Sequence, residues 1–422
     1  MRIVIIFTLP LAFLLGSCSK EIPAMSSLPD VSSVRINLAF DCAHENKVLP
    51  DIDPDADALF RYARYLQKKQ GPKDYESMAV YYRIAAAHGH YKANRNLQNL
   101  LAYGQAYSPF RSKEVIDLAN QLIELGVPGG YYDIGHYLEI GYGLKQDREM
   151  ALRFFRKAAD LGSPDAQFYV GELLAPWDKA PEVSEQMWQC ASDQGFAKAS
   201  RMLGVSLQTD RKYTPAVTAF QQGVMAGDSS SAFALEHGFE GPPQTDRLYY
   251  LSLKADPERS LRYKQIGKFL RNYEHLNPKI PDIDQIVPLP PAKLPPWDGT
   301  FQWVREHDAA VPPEKPSEEL VNRLSQAKNL DPATGLPLPP PPKLPLGTRA
   351  KTGQPCPESG IWCVPEAATV FAGATRHFRK GDVLPEFEMP KPRRLSWLDD
   401  LLGERVAYWN VSWKLISYDE KG

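Results

Sequence analysis

The sequence predicts a mainly α fold: an α-solenoid of about five helix-turn-helix repeats, followed by a proline-rich linker and a small β-rich C-terminal domain. Three observations carry this. Glycines at 89, 126, 162, 195 and 227 each close an alanine- or leucine-rich stretch, and subtraction gives separations of 37, 36, 33 and 32 residues. Periods of this size mark helical solenoids. Of the 38 prolines, 16 lie between residues 281 and 345, which marks spacer sequence. Beyond about residue 353 the apolar period changes from helical to alternating.

The first 18 residues form an export segment. Arg2 precedes the apolar run Ile3–Leu15, and Leu15-Gly16-Ser17-Cys18 follows it. This arrangement resembles the lipobox of bacterial lipoproteins, which implies cleavage before Cys18 and a diacylglycerol on its sulfur. The run is shorter than the ~20 residues a spanning helix needs. Ser19, in place of Asp, resembles the signal for outer-membrane sorting in Gram-negative bacteria, so the expected address is the outer membrane, facing the periplasm. Residues 19–54 read as a polar, proline-bearing tether.

Helical grammar begins near Asp55 and continues to about residue 240. Its clearest copy runs from Gly130 to Ala166. Ile134, Tyr137 and Leu138 share a face, Gly141 and Gly143 supply turn chemistry, and Met150, Ala151, Phe154, Phe155, Ala158 and Leu161 recur at helical spacing before Gly162. Small residues at helix crossings let backbones approach, while Tyr, Phe and Leu fill the gaps between pairs. The pattern A-x-x-x-L-G/E-x-x-Y, G-x-G, D, A-x-x-F/Y-x-x-A-A-x-x-G resembles the Sel-one-like (Sel1-like) repeat, a relative of the tetratricopeptide repeat. That resemblance implies a protein-binding scaffold and brings no catalytic residues. Exposed aromatics of the best copy, Tyr131, Tyr132, Tyr137 and Tyr142, are the candidate partner contacts. At helical spacing most of them fit the core better.

Residues 241–303 depart from the repeat. Asp256-Pro257-Glu258 opens a capping helix, with Leu261, Tyr263, Ile266, Leu270 and Tyr273 expected inward. A proline-rich strip with Trp297 follows and is expected to pack along the solenoid's end. The run from Asp256 to Trp303 resembles a module of bacterial repeat lipoproteins of uncharacterised function. Asp282 and Asp284 alternate on this strip, lack a third ligand nearby and read as a solvated edge. Residues 304–350 read as the linker, interrupted by a short helix over 317–327.

In the C-terminal domain, residues 351–422, the segment Ala407–Leu415 alternates apolar and polar residues as a half-buried strand. Ile361–Val364, Thr369–Phe371 and Arg376–Phe378 read as further strands. Seventy residues give a marginal core. Cys356 and Cys363, spaced C-x6-C in an oxidising compartment, therefore point to a disulfide staple rather than free thiols. A zinc site would need more ligands than His377. Cys190, on an alanine-rich helix, reads by default as a buried thiol, and Cys42 is undetermined.

Composition excludes several classes. With 49 Lys and Arg against 51 Asp and Glu, the net charge is −2, which gives no bias toward nucleic acid. The sequence carries no G-x-S-x-G, H-E-x-x-H, Walker or dinucleotide motif, so neither an enzyme nor a cofactor or metal is expected. The segment Cys356-Pro357-x-Ser359-Gly360-x-Trp362, with Arg376-x-Phe378, Gly381 and Trp413-Lys414-Leu415, resembles small modules encoded near type VI secretion effectors. The expectation is a lipid-anchored binding protein, most specifically an immunity protein that neutralises a type VI effector. The alternative is an envelope adaptor or signalling scaffold without a toxin partner.

Overall fold

The computed structural model describes residues 39–339, 343–367, 373–391, 394 and 406–418. Cys18, the expected strand 369–371 and most of the proline run 339–342 lie outside these residues. The chain divides into two compact units at residues 338 and 339. No described helix is long and apolar enough to cross a membrane.

The first unit is a stack of antiparallel helix pairs: α1 (Pro54–Lys68) with α2 (Tyr75–Ala87), α3 (Tyr91–Ala102) with α4 (Arg111–Glu124), and α5 (Pro128–Ile140) with α6 (Arg148–Asp160). Next come α7 (Pro164–Leu174) with α8 (Pro181–Asp193), α9 (Ala197–Thr209) with α10 (Tyr213–Met225), and α11 (Ser229–Gly238) with α12 (Pro257–Asn272). The five closing glycines have φ of 82°, 74°, 105°, 78° and 100°, a left-handed conformation that costs glycine nothing. After each, the next backbone N–H returns to a carbonyl five residues back. His90 thus donates to Ala85 at 3.1 Å and Ser163 to Ala158 at 3.0 Å, the Schellman closure. Side chains then start new helices, as Asp147 does for α6, Ser163 for α7 and Asp228 for α11.

Within a pair, a glycine of the first helix receives a ring from the second. A Cβ on Gly135 would lie 2.7 Å from Phe155, one on Gly171 2.6 Å from Trp188, and one on Gly204 2.7 Å from Phe220. The glycines therefore let large rings lie directly on backbone, and all three rings are buried.

Both ends of the stack are covered by residues 241–338. At the far end, α12 buries Tyr263, Ile266 and Leu270, whereas Leu261 and Tyr273, expected inward, are exposed. Tyr273 lies at the C-terminal end of α12, where its ring meets Phe269 and Trp303 and stays partly open to solvent. The proline strip packs against this end, as Leu289, Leu294 and Trp297 join its core. Arg259 reaches Pro288 O at 3.2 Å, and Arg262 reaches Ile286 O at 2.6 Å. Asp282 is not on a solvated edge. It is buried, precedes the single turn α13 (Ile283–Ile286), and accepts from Gln302 N at 2.8 Å and Arg305 at 3.4 Å.

Residues 304–338 correct the linker expectation. After α14 (Gln302–Ala309), the helix α15 (Glu318–Ala327) packs on the first repeat. Leu324 and Leu330 enter the core of α1–α4, His88 bonds Leu324 O at 2.9 Å, and Arg83 donates to Thr334 O at 3.1 Å. An open end of a solenoid must be covered, and the amphipathic face of α15 covers this one.

The second unit, residues 339–422, holds an antiparallel sheet in the order β1 (Arg349–Lys351), β6 (Ser412–Tyr418), β2 (Gly360–Cys363), β3 (Thr375–Phe378), and a two-stranded sheet of β4 (Phe387–Pro390) and β5 (Val406–Trp409). The single strand expected over 407–415 is thus two strands in different sheets. Trp413 and Leu415 are buried and Trp409 is exposed.

The cysteine expectation is also corrected. Cys356 and Cys363 are buried free thiols. Cys356 is held ahead of β2 by its N–H to Asp382 O at 2.7 Å, and its sulfur bonds Glu358 O at 3.1 Å. The fully buried Trp362 and Trp413 supply the core that a staple was expected to supplement. The disulfide instead joins Cys42 to Cys190 across 148 residues, with Cα atoms 5.6 Å apart.

Two stability predictions follow from these contacts. Gly171→Ala should destabilise the first unit by about 1–3 kcal/mol in urea unfolding, because overpacking against Trp188 outweighs the gain in helix propensity. Cys190→Ala should cost about 2–4 kcal/mol in the same measurement, whereas Cys356→Ser should leave the first unit's transition unchanged.

Candidate functional site

Residues 39–53 form a strap that crosses the turns between successive repeats. The Arg156 guanidinium donates to Ala39 O, and Phe40 packs against the α4–α8 core. Cys42 is bonded to α8, and Ala43 O accepts from Gln167 Nε2 at 2.8 Å. Gln194 Oε1 accepts from Glu45 N at 2.8 Å. The strap passes so close to Gly162 that a Cβ there would lie 2.8 Å from Glu45 N.

The strap delivers Glu45 to a polar cluster spread over three repeats. Arg95 of α3 is its centre, 3.4 Å from Asp133 of α5 and 3.2 Å from Asp165 of α7. Glu45 accepts from the Gly129 N–H beside the same guanidinium. Three carboxylates thus surround one cation. Burial first, and then this excess of charge, decides the protonation states. Burial pushes the Asp133 carboxyl up to about 6, against the opposing pull of Arg95. Burial likewise raises Glu45. The carboxylates, Asp133 foremost, hold the Arg95 guanidinium firmly protonated.

An open pocket of about 290 Å³ lies against this cluster, lined by Lys92, Asn96, Asn99, Gln98, Asp133 and Tyr137. Tyr137 donates to Gln98 Oε1 at 2.8 Å, and Gln98 donates to Asn94 Oδ1 at 2.7 Å. Beside it Tyr132, His136, Phe155 and Tyr169 form a ring cluster, with Tyr132–His136 centroids 4.5 Å apart and Phe155–Tyr169 centroids 4.6 Å apart. Tyr169 donates to Glu139 at 2.7 Å. Burial lowers the His136 imidazole, so it is held toward its neutral form.

The four tyrosines named from sequence are all half-buried. Tyr131 lies against Phe154, with centroids 6.0 Å apart, and packs with the core. Tyr142 packs on Tyr137 at 5.5 Å. Tyr132 and Tyr137 border the polar cluster. Arg95, Asp165 and Glu45 carry no local sequence signal, because they come from different repeats and from the segment read as a tether. One grouping of possible metal ligands occurs among the described residues, Cys42, His44 and Cys190. Both its sulfurs are spent in the disulfide, so it offers no thiolate.

These groups form an amphipathic, hydrogen-bonding surface with surplus negative charge, suited to recognising polar side chains of a protein. A family model described as a domain of unknown function (DUF6396) matches residues 231–338. Those residues are α11, α12 and the segments that cover both ends of the stack. No curated protein matches the chain. Among solved structures, immunity protein Pa5087 from Pseudomonas aeruginosa is 31% identical, covering 60% of this chain and 95% of its own, with a TM-score of 0.49. Pseudomonas aeruginosa PA5086 is 30% identical over the same shares, at 0.48.

The chain belongs to the family of PA5086 and Pa5087. Its helix pairs fall where the sequence carries the Sel1-like repeat pattern. Immunity protein PA5088 of the same organism is 27% identical and covers 60% of this chain and 94% of its own, with a TM-score of 0.49.

The cluster makes a pH prediction. The folded pKa of Asp133 lies above its unfolded value near 3.8. Its stabilising contribution is therefore full below that value and is lost as pH rises through about 6. Relative to Asp133→Asn, the native chain should gain about 2 kcal/mol between pH 7 and pH 4.5, read by urea unfolding at both. A difference that stays flat with pH would remove this assignment.

Proposed function

We propose that the chain is an immunity protein, which binds a secreted toxin through its repeat surface and neutralises it by occupation and not by catalysis. The observation that carries this reading is the 31% identity to an immunity protein along 95% of that protein's length. The fold fits it. Stacked repeats present side chains from several helices on one continuous face, and the Arg95 cluster draws on three repeats and the strap at once.

The site of action in this reading is the outer membrane, with the chain held by a lipid on Cys18 and facing the periplasm. The Cys42–Cys190 disulfide supports that address, because such bonds persist in oxidising compartments. The toxin would be a type VI effector that acts in the envelope. The surplus carboxylates at Glu45, Asp133 and Asp165 favour a partner that offers lysine or arginine to the pocket beside them.

Deleting the gene should sensitise cells to the secreted toxin encoded beside it, and the full chain supplied in trans should restore survival. Equal survival of the deletion strain against a toxin-proficient sibling sinks the reading and favours an envelope adaptor. Cys18→Ser should move the chain from the outer-membrane fraction to the soluble periplasmic fraction. A chain that stays with the membrane would show that another feature anchors it.

A further inference from the structure

Helices α3, α5, α7, α9 and α11 run parallel, so their C-terminal ends emerge along one edge of the stack. The strap and the closing glycines occupy the opposite edge. Loops that join helices usually carry polar residues. This edge carries large apolar ones instead. Tyr103 is the C-cap of α3 and is 80% exposed, and Tyr107 and Phe110 follow in the same loop, both exposed. Ile140 ends α5 at 66%, Trp177 stands in the α7–α8 loop at 92%, and Leu248 stands in the α11–α12 loop at 69%.

These side chains stand on ordered loops. Tyr107 N donates to Glu76 at 2.8 Å. The turn after Ile140 is closed by Asp147 N to Leu138 O at 3.0 Å. Lys179 N to Pro176 O at 2.8 Å closes the turn under Trp177. Leu248 N donates to Asp246, and Leu248 O accepts from Gln208, both at 3.0 Å. A surface built this way loses little freedom when it is covered.

We propose that this edge is the docking surface for an apolar face of the partner protein, and that it provides the main affinity of the complex. The inference rests on the immunity reading and specifies where the toxin sits. Two arguments select a folded protein as occupant. The first is area. Aromatic side chains bring roughly 150–250 Å² each, so the four aromatics of the edge leave on the order of 600 Å² in water, before Ile140 and Leu248 are added. That already reaches the size of the largest patch on a typical monomer, about 300–600 Å². With the aliphatics it approaches the ~800 Å² that one partner contributes to a stable complex. The second is charge. On the same loops Asp147, Asp178, Asp210, Glu240 and Asp246 offset Lys145, Lys179, Arg211, Lys212 and Arg247, so the edge is balanced in charge and is no polybasic surface for anionic lipid.

The test uses the full chain and three variants. Trp177→Ser with Tyr103→Ser alters the edge, Val48→Ser changes an exposed apolar residue of the strap on the opposite edge, and Trp177→Phe with Tyr103→Phe preserves its apolar character. Circular dichroism and urea midpoints establish that each is folded. Each variant is assayed for protection of the deletion strain and, by calorimetry, for binding the purified toxin encoded beside the gene. The edge variant should bind at least about tenfold more weakly and fail to protect, while the other two behave as the native chain does. If the native chain protects and the edge variant protects and binds equally well, the edge inference falls and the immunity reading stands. If the native chain itself neither protects nor binds, the reading falls and takes this inference with it. A native dimer in solution that the edge variant breaks, or binding to phosphatidylethanolamine–phosphatidylglycerol vesicles that it abolishes, would assign the edge to a second copy or to lipid, and would overturn the proposal.

Discussion

The approach of Phe155 to Gly135, of Trp188 to Gly171 and of Phe220 to Gly204 sets how near the two helices of a pair can lie. Each ring rests on backbone where any other residue would place a Cβ. The close crossing buries the rings completely or nearly so and brings the next pair into reach. The five Schellman closures do the complementary task at the other end of each pair. They stop the second helix where the left-handed glycine allows the chain to turn into the next repeat. One set of glycines thus fixes distance and the other direction, and polar side chains buried inside the stack, such as Asn94, Gln98 and Gln221, are hydrogen-bonded across it.

The stack needs more than its repeats to be complete. Its first pair would expose apolar surface, and α15, supplied from residues 318–327, covers it with Leu320, Val321 and Leu324. Its last pair is covered by the proline strip, held by the guanidinium groups of Arg259 and Arg262. The strap of residues 39–53 adds a third long-range element. It is bonded to α8 and reaches back to α1, tying four repeats together. Because it also delivers Glu45 to Arg95, the element that fastens the stack completes its polar cluster. Stability and recognition therefore share residues here, and Asp133, a carboxyl raised by burial, shows the cost of that sharing.

Two surfaces of different character result. On the faces of α3, α5 and α7, charge and hydrogen bonding dominate around Arg95. Along the ends of the same helices, exposed rings and aliphatics dominate. A polar surface gives a complex its specificity, because unmatched buried charge is costly, while apolar contacts give most of its affinity. A repeat array can hold both because adjacent helices present their faces and their ends to different sides.

The repeats were legible in the sequence because everything that makes them is local. Gly89, Gly126, Gly162, Gly195 and Gly227 act on the helix that precedes each, and Phe154, Phe155 and Ala158 declare their helix by spacing alone. The capping helix and the strand pair at Ile361–Val364 and Arg376–Phe378 were legible for the same reason. The tertiary structure decided whatever joins residues far apart. It paired Cys42 with Cys190 and left Cys356 and Cys363 as thiols, turned a presumed linker into the cover of the first repeat, and gathered Arg95, Asp133, Asp165 and Glu45. It also split 407–415 between two sheets, since alternation shows which residues share a face but not which strand will pair with them. Periodicity reports the partner three or four residues away. A pair separated by 148 residues leaves no such trace, and only the folded chain brings its members together.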